Sequence, residues 1–413
     1  MLIPDNLLKN KKILLGVTGS IAVYKSLELT RLFIKAGADV KVVMSESAKK
    51  FVTPLSFETL TSNKVLDDTN ESWVDDHNHI KTTEWADVFV IAPCTANTIA
   101  KLSNAIADNM LLQCALAYPS KIILAPSANT NMLENPITQV NLKMLALANY
   151  ELVDTQTKEL ACKTVGDGAM AEPIDIFWHA SKTLLENDFY KDRTVMVTGG
   201  GTIEKIDDVR YLSNFSSGKM ASAMASALYC MGANVNLIAS KVENNIPKGI
   251  YTLKVQSSDE MMKNLSNSIS IAKKEKLLKP TLKTPYLFMA AAVSDYVPSS
   301  VKEGKLKKES LGNIFELELT KNIDILNSID KEEIISIGFK AEMDENNALK
   351  NASKMLQSKN IDAVCLNILK DASSFGTDTN KVEFISHSGQ VSIADADKLS
   401  VAFEILRLAQ DIS

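Results

Sequence analysis

Short β-branched runs alternate with longer stretches of helical period, the alternation breaks once, and it then begins again; this limits the chain to two α/β domains with doubly wound, mainly parallel sheets. In the first half, strands are expected at Lys12 to Val17, Asp39 to Met44, Val88 to Ala92, Lys121 to Ala125 and Glu151 to Asp154, and a last helix near Ile174 to Leu185. The polar run Glu186 to Asp192 reads as a linker, which sets the domains at 1–185 and 193–413. The second half restarts with RTVMVTGG. Further strands are expected at Asn234 to Ala239, Tyr251 to Val255, Tyr286 to Ala292, Ile335 to Gly338 and Asp362 to Leu366, then a hairpin within Lys381 to Asp395 and a closing helix. The Lys-rich stretch AKKEKLLKPTLKTP reads as a solvated surface insertion.

At 413 residues the chain exceeds one ordinary hydrophobic core, which agrees with two domains. A net charge of −5 gives no general attraction to a phosphate backbone, so nucleic acid is not an expected partner. No segment approaches the roughly twenty apolar residues of a membrane span, and no membrane partner is expected. Cys94, Cys114, Cys162, Cys230 and Cys365 have neither CxxC spacing nor the density of a disulfide framework, which fits a reducing cytoplasm. Four of them sit in apolar helix or strand patterns and read as buried structural residues. Cys162, among Lys163, Gly166, Asp167 and Gly168, reads as a reactive thiol on an exposed loop.

The opening GVTGSIAVYKSLEL puts Gly16, Gly19, Ser20 and Ala22 at a strand-to-helix junction, where free amides can hold a phosphate. A second segment, APCTANTIAKLSNAIADNM, supplies Thr95, Asn97 and Thr98 at another helix start, and these also suit an N-cap. From about Gly16 to Pro173 these residues, with HNHIKTTEWAD, APSANTNML and LACKTVGDGAM, resemble the flavin-containing cysteine decarboxylase family. The resemblance implies a flavodoxin-like flavoprotein domain that binds FMN through Gly19, Ser20, Ile21, Ser45, Thr95, Asn97 and Thr98. It also implies His79 as a catalytic group of the oxidative phase, Asn129 as holder of the substrate carboxylate, and Cys162 as proton donor on a lid. In that family oxidation of the thiol-bearing carbon creates the electron sink that lets carbon dioxide leave. The family's methionine before the functional asparagine is Ala128 here, and its lid pattern is replaced at Lys163, Thr164 and Ala169.

The segment VTGGGTIEKIDDVRYLSNFSSGKM is the most specific text in the chain. Its Asp207, Arg210, Asn214, Ser216, Ser217, Gly218 and Lys219 resemble the signature of phosphopantothenate–cysteine ligases. A second block, MAAAVSDYVPSSVKEGKLKKES, follows a strand, and the carboxyl ends of strands are where α/β sheets bind ligands. The resemblance implies a Rossmann-like domain in which Lys305 stabilises charge while the 4'-phosphopantothenate carboxylate attacks the α-phosphate of CTP. Asn214 is implied for the attack of cysteine on the acyl-cytidylate, with Arg210, Ala291 and Ala292 as substrate contacts. Asp295, Ile323, Asp324, Ile325, Leu326, Phe339 and Lys359 are implied for the cytidine nucleotide, and Mg²⁺ for its phosphates. The family's Asn-Pro-Asp is Asn322-Ile323-Asp324, and a pocket lysine falls on Met355 with Lys354 beside it as the expected replacement.

In this order the halves resemble a bifunctional, cytoplasmic enzyme family of coenzyme A synthesis, ligating first and decarboxylating second. The main alternative is an active ligase whose decarboxylase half is impaired by its altered lid; a flavin-dependent redox or prenyl-transfer enzyme and a non-enzymatic regulatory subunit are the further classes, and His79, Asn129 and Cys162 argue against the last. The resemblance further implies a homododecamer built from trimers of the first domain and dimers of the second.

Overall fold

The computed structural model describes residues 3–159, 165–307, 314–369 and 376–412. The chain forms two compact units, which meet in sequence between Leu185 and Glu186. Among the described residues no helix is long and apolar enough to cross a membrane.

The first unit is built on strands β1 Lys12–Val17, β2 Asp39–Met44, β3 Val88–Cys94, β4 Ile122–Pro126 and β5 Tyr150–Leu152, with a separate hairpin of β6 Gln156–Glu159 and β7 Val165–Ala169. The five strands pair in parallel in the order β2-β1-β3-β4-β5. Every residue of β3 is buried, as a strand covered on both faces requires. The order reverses between β1 and β3, and at such a switch point the loops beyond the carboxyl ends diverge and leave a crevice.

The second unit holds β8 Thr194–Gly199, β9 Ile203–Lys205, β10 Tyr211–Ser213, β11 Asn234–Ala239, β12 Tyr251–Lys254, β13 Tyr286–Met289, β14 Tyr296–Pro298, β15 Leu319–Lys321, β16 Ile335–Glu342, β17 Ala363–Ile368, β18 Thr379–Ser386 and β19 Gly389–Asp397. Its main sheet runs β12-β11-β8-β13-β16-β17-β18-β19, parallel as far as β17 and antiparallel in the last hairpin. The switch point lies between β8 and β13. Two short antiparallel ribbons, β9 with β10 and β14 with β15, stand apart from the sheet.

Two sequence expectations differ from the structure. The Lys-rich stretch is not an insertion: through Leu278 it is the end of a helix, Ser258–Leu278. Met261, Leu265, Ile269 and Ala272 recur at helical spacing and are buried, while the lysines occupy the solvent face. The run 186–192, expected to be a linker, packs into the second unit. Tyr190 is fully buried, with its hydroxyl donating to the Leu406 carbonyl at 2.8 Å.

Beside it, buried Arg193 donates to the carbonyls of Phe189 (3.0 Å) and Thr284 (2.7 Å), and its guanidinium lies 4.0 Å from the Phe189 ring centre. Two charge-assisted hydrogen bonds and a cation–π contact make Arg193→Ala an expected loss of about 3 kcal/mol from this unit, read by urea denaturation. Lysine at this position should recover only part of it, since one ammonium cannot reproduce the guanidinium's divergent donors.

Candidate active sites

In the first unit the ends of β1, β3 and β4 are tied to one another. The Thr18 hydroxyl donates to the Pro93 carbonyl at 2.7 Å and accepts from the Thr95 amide at 3.2 Å. The Ser20 and Ser127 hydroxyls meet at 2.9 Å. Thr95 caps the helix Ala96–Ser103 by accepting from the Thr98 amide. Over these ends opens a cavity of 480 Å³ that Gly19, Ser20, Ser45, Thr95, Asn97 and Thr98 all line. Gly19 is required by close approach: a Cβ there would stand 2.5 Å from Ser47 Cβ and 2.9 Å from the Ser47 backbone. The buried Ser45 hydroxyl has no partner among the described residues.

A second cavity, 710 Å³, adjoins the first and shares Ser20, Ser127 and Ala128 with it. Ile21 and Asn129 line it. Asn129 is fixed as the cap of the helix Thr130–Glu134, its side-chain oxygen accepting from the Asn131 amide at 3.0 Å. The β6–β7 hairpin is seated on the cavity's rim, where the Ala128 amide donates to the Gly168 carbonyl at 3.1 Å. Gly168 has φ +136°, and a Cβ on it would collide with the Ala128 carbonyl. Lys25, only 7% exposed, donates to the Met170 carbonyl and to Glu172, which also pairs with Lys158 of β6. Cys162 lies outside the described residues.

His79 lines neither cavity. It opens the helix His79–Trp85, its Nδ1 lies 2.8 Å from Glu71, and its ring meets Trp73 edge-on at 5.7 Å. The remaining cysteines, Cys94, Cys114, Cys230 and Cys365, are buried. Burial pushes the thiols of Cys94, Cys114 and Cys365 up, that of Cys114 to about 12, which suits structural residues.

In the second unit a cavity of 460 Å³ lies beyond the carboxyl end of β13 and beside Phe339 of β16, and Asp295, Ile323, Asp324, Ile325, Leu326, Phe339 and Lys359 all line it. Asp324 caps the short helix Ile325–Ser328 and pairs with Lys359 at 2.6 Å. Ile325 and Leu326 are buried, so their side chains anchor this loop in the core. The loop is further clamped by Asn322, whose side chain donates to the Ser294 carbonyl at 2.7 Å and accepts from the Ile323 amide at 2.8 Å. Lys354 does not line the cavity; Met355 does. Neighbouring residues on a helix point about 100° apart, and Lys354 is the exposed one of the two.

A smaller cavity of 180 Å³ shares Ala291 and Phe339 with the first. It faces the start of the helix Lys219–Cys230, and Lys219, Lys340 and Lys398 line it. The sequence reading contained Lys219 in its signature but gave no role to Lys340 or Lys398, which reach this point from β16 and the closing helix. Ala292 stands at the same strand ends, its amide donating to the Gly200 carbonyl at 2.9 Å and its carbonyl accepting from the Asn214 side chain at 3.1 Å.

Arg210 and the loop of Lys305 are joined through Asp207, a signature residue that the sequence gives no role of its own. This buried carboxylate accepts from the amides of Val209 (2.8 Å), Arg210 (2.6 Å) and Leu306 (3.2 Å) and from the Arg210 guanidinium (3.0 Å). Arg210 in turn donates to the Leu306 carbonyl at 3.2 Å, and the Gly304 amide donates to Asp208 at 2.9 Å. Lys305, exposed itself and lining neither cavity, is thus held on both sides. Burial works to raise the Asp207 carboxyl, but the amides of Val209, Leu306 and Arg210, then the guanidinium, outweigh it and hold it below the usual carboxylate range.

A family model described as the DNA/pantothenate metabolism flavoprotein C-terminal domain matches residues 190–412, and one described as Flavoprotein matches residues 2–184. The coenzyme A biosynthesis bifunctional protein CoaBC of Bacillus subtilis is 37% identical over 412 residues, covering 97% of each chain. The protein of that name from Borreliella burgdorferi is 34% identical over 406 residues, 97% of this chain and 99% of that one. The one from Haemophilus influenzae is 34% identical over 407 residues, 97% of each. With both domain models in this order and relatives that align along almost its whole length, the chain belongs to the coenzyme A biosynthesis bifunctional CoaBC family, enzymes that join a flavoprotein decarboxylase domain to a ligase domain.

Proposed function

We propose that the second unit joins cysteine to 4'-phosphopantothenate at the expense of CTP, and that the first unit decarboxylates the product to 4'-phosphopantetheine with FMN, in the cytoplasm. The observation that carries this reading is the convergence of Asp295, Ile323 to Leu326, Phe339 and Lys359, from separate segments, on one cavity beyond the carboxyl end of β13. The cavity suits the cytidine, and the adjoining lysine-lined cavity suits the phosphates, with the α-phosphate between them near Ala291 and Ala292. Lys305, on its tethered loop, stabilises the negative charge gathering on that phosphate as the substrate carboxylate attacks. Asn214 then serves the attack of cysteine's amine, which expels CMP, and Arg210 holds the substrate. Mg²⁺ is held by the phosphates themselves, as this ion tends to be; no group of three His, Cys, Asp or Glu suited to a metal occurs among the described residues.

The first unit's residues fit FMN. The partnerless Ser45 hydroxyl and the side-chain-free turn at Gly19 leave a donor and room for a phosphate, with Ser20, Ile21, Thr95, Asn97 and Thr98 around it. When bound there, FMN would supply the hydride acceptor that oxidation of the substrate's thiol-bearing carbon needs, and the hydride for the final reduction. Asn129 orients the substrate carboxylate from the adjoining cavity, and Cys162 delivers the final proton. His79 acts in the oxidative phase from a neighbouring copy, since it lines neither cavity of its own chain. An assembly of trimers and dimers into a homododecamer accommodates this. It is supported by an exposed apolar stripe, Ile137, Val140, Met144 and Leu147, on the helix Pro136–Leu147.

The seating of Gly168 on Ala128 favours two activities over the ligase-only alternative, because it is made by a backbone amide and a backbone carbonyl and does not depend on the side chain at position 128. Purified protein given phosphopantothenate, cysteine, CTP and Mg²⁺ should release pyrophosphate and carbon dioxide in equal amounts. Pyrophosphate alone would establish the single-activity alternative, and a preparation without flavin absorbance near 450 nm would refute the decarboxylase mechanism. Sedimentation velocity of the same preparation checks the assembly.

A further inference from the structure

Lys398 is the first residue of the closing helix, Lys398–Gln410, yet only 8% of it is exposed. Three features of its place disfavour a cation. Burial strips water from the ammonium. The positive end of a helix dipole lies beside it. Lys219 repels it across the small cavity, and burial together with that repulsion pushes its pKa down, against the weaker pull of Asp378 and Glu243. Its ammonium donates to the Thr377 carbonyl, and among the described residues no carboxylate pairs with it. Asp378, one of the two carboxylates that attract it, is already paired with Lys219 at 2.6 Å.

The cavity into which both lysines open is lined, among the described residues, by a third lysine, Lys340, and by no carboxylate at all. Asn367 and Asn380 add amides, and Ser216 and Ser217 add hydroxyls at the start of the Lys219–Cys230 helix. Gly218 turns the chain there with φ +76°, where a Cβ would collide with the Lys241 carbonyl. A polyanion in this space would offset all three penalties on Lys398 at once.

We propose that Lys398 is a phosphate ligand of the ligase reaction and, with Lys219, takes the pyrophosphate that leaves CTP. The proposal rests on the CTP reading above. In the step it serves, a carboxylate oxygen of phosphopantothenate forms a bond to the α-phosphorus and the bond from that phosphorus to its bridging oxygen breaks. The electron pair stays on the departing pyrophosphate, where the two ammonium groups donate to it.

Product inhibition of the full-length enzyme tests this, because pyrophosphate reaches the small cavity and CMP lacks the phosphates that would. Lys398→Met should weaken inhibition by pyrophosphate about tenfold or more and inhibition by CMP by less than about twofold, while Lys398→Arg keeps most of the pyrophosphate effect. Equal weakening of both, or of neither, overturns the proposal. Should Lys398→Met not fold, mass-spectrometric acetylation of the wild-type chain decides: pyrophosphate should protect Lys398 where CMP does not, and equal modification overturns it. A wild-type chain that releases no pyrophosphate from CTP overturns the ligase reading and this proposal together, whereas a working ligase with unchanged inhibition overturns the proposal alone.

Discussion

Gly19→Val should yield a protein that purifies without flavin colour and releases no carbon dioxide, while still releasing pyrophosphate from CTP. A valine Cβ at this position would stand 2.5 Å from Ser47 Cβ and 2.9 Å from backbone atoms of Ser47, so either the β1 turn or the Ser45–Ser47 segment must move. Both border the cavity proposed for FMN, and either move changes the spacing between the turn and the Ser45 hydroxyl that is offered to its phosphate. Loss of one or two phosphate contacts of this kind weakens binding by about tenfold to several hundredfold, and the steric intrusion adds to it. The 450 nm absorbance per chain measures the first effect, and separate assays of carbon dioxide and pyrophosphate measure the second. Retained flavin at the wild-type ratio would show that the phosphate does not lie over this turn.

Lys305→Gln should abolish pyrophosphate release, with a fall of about 100-fold to 1000-fold, since it removes a positive charge from the position where negative charge develops. Asp207→Asn is expected to approach that effect without touching Lys305. The amide can still accept from the Val209 and Arg210 amides, but its NH2 cannot accept from the Arg210 guanidinium or the Leu306 amide. The loop that carries Lys305 is then released, and displacements of about 1 Å can reduce turnover by about 100-fold. Lys305→Gln in the Asp207→Asn background should therefore add little, and fully multiplicative effects would show that the two residues act separately. Acid should mimic the Asp207 variant. The folded carboxyl titrates below its ordinary value, so its contribution is complete above that value and is lost only as pH falls through the depressed one.

The parallel cores were legible because their pattern is local. β1, β2 and β11 fall on the expected runs, since each ends in an uninterrupted buried apolar run, such as Val42 to Met44 in β2 and Leu237 to Ala239 in β11. The helix Ser258–Leu278 was missed at its end, where lysines on the wet face masked a stripe of small and apolar residues on the dry one. Three-residue ribbons such as β9 and β14 are too short to show a period. In the sites, motif residues were visible wherever a family signature ran through them. Lys340 and Lys398 were not, because what brings them to Lys219 is sheet order and the docking of the last helix, neither of which is written near them in sequence. Lys354 lies off the cavity for a purely angular reason: adjacency in sequence is not adjacency in direction on a helix.

The burial of Tyr190 and Arg193 among the aromatic rings of the second unit fixes where the two catalytic halves can be separated. A cut at the apparent polar boundary after Asp192 would remove the tyrosine whose hydroxyl reaches the closing helix at Leu406, and with it the brace beneath the helix that begins at Lys398. A self-sufficient ligase half must therefore start ahead of Glu186, and residues that look like a tether in the sequence are part of its keel.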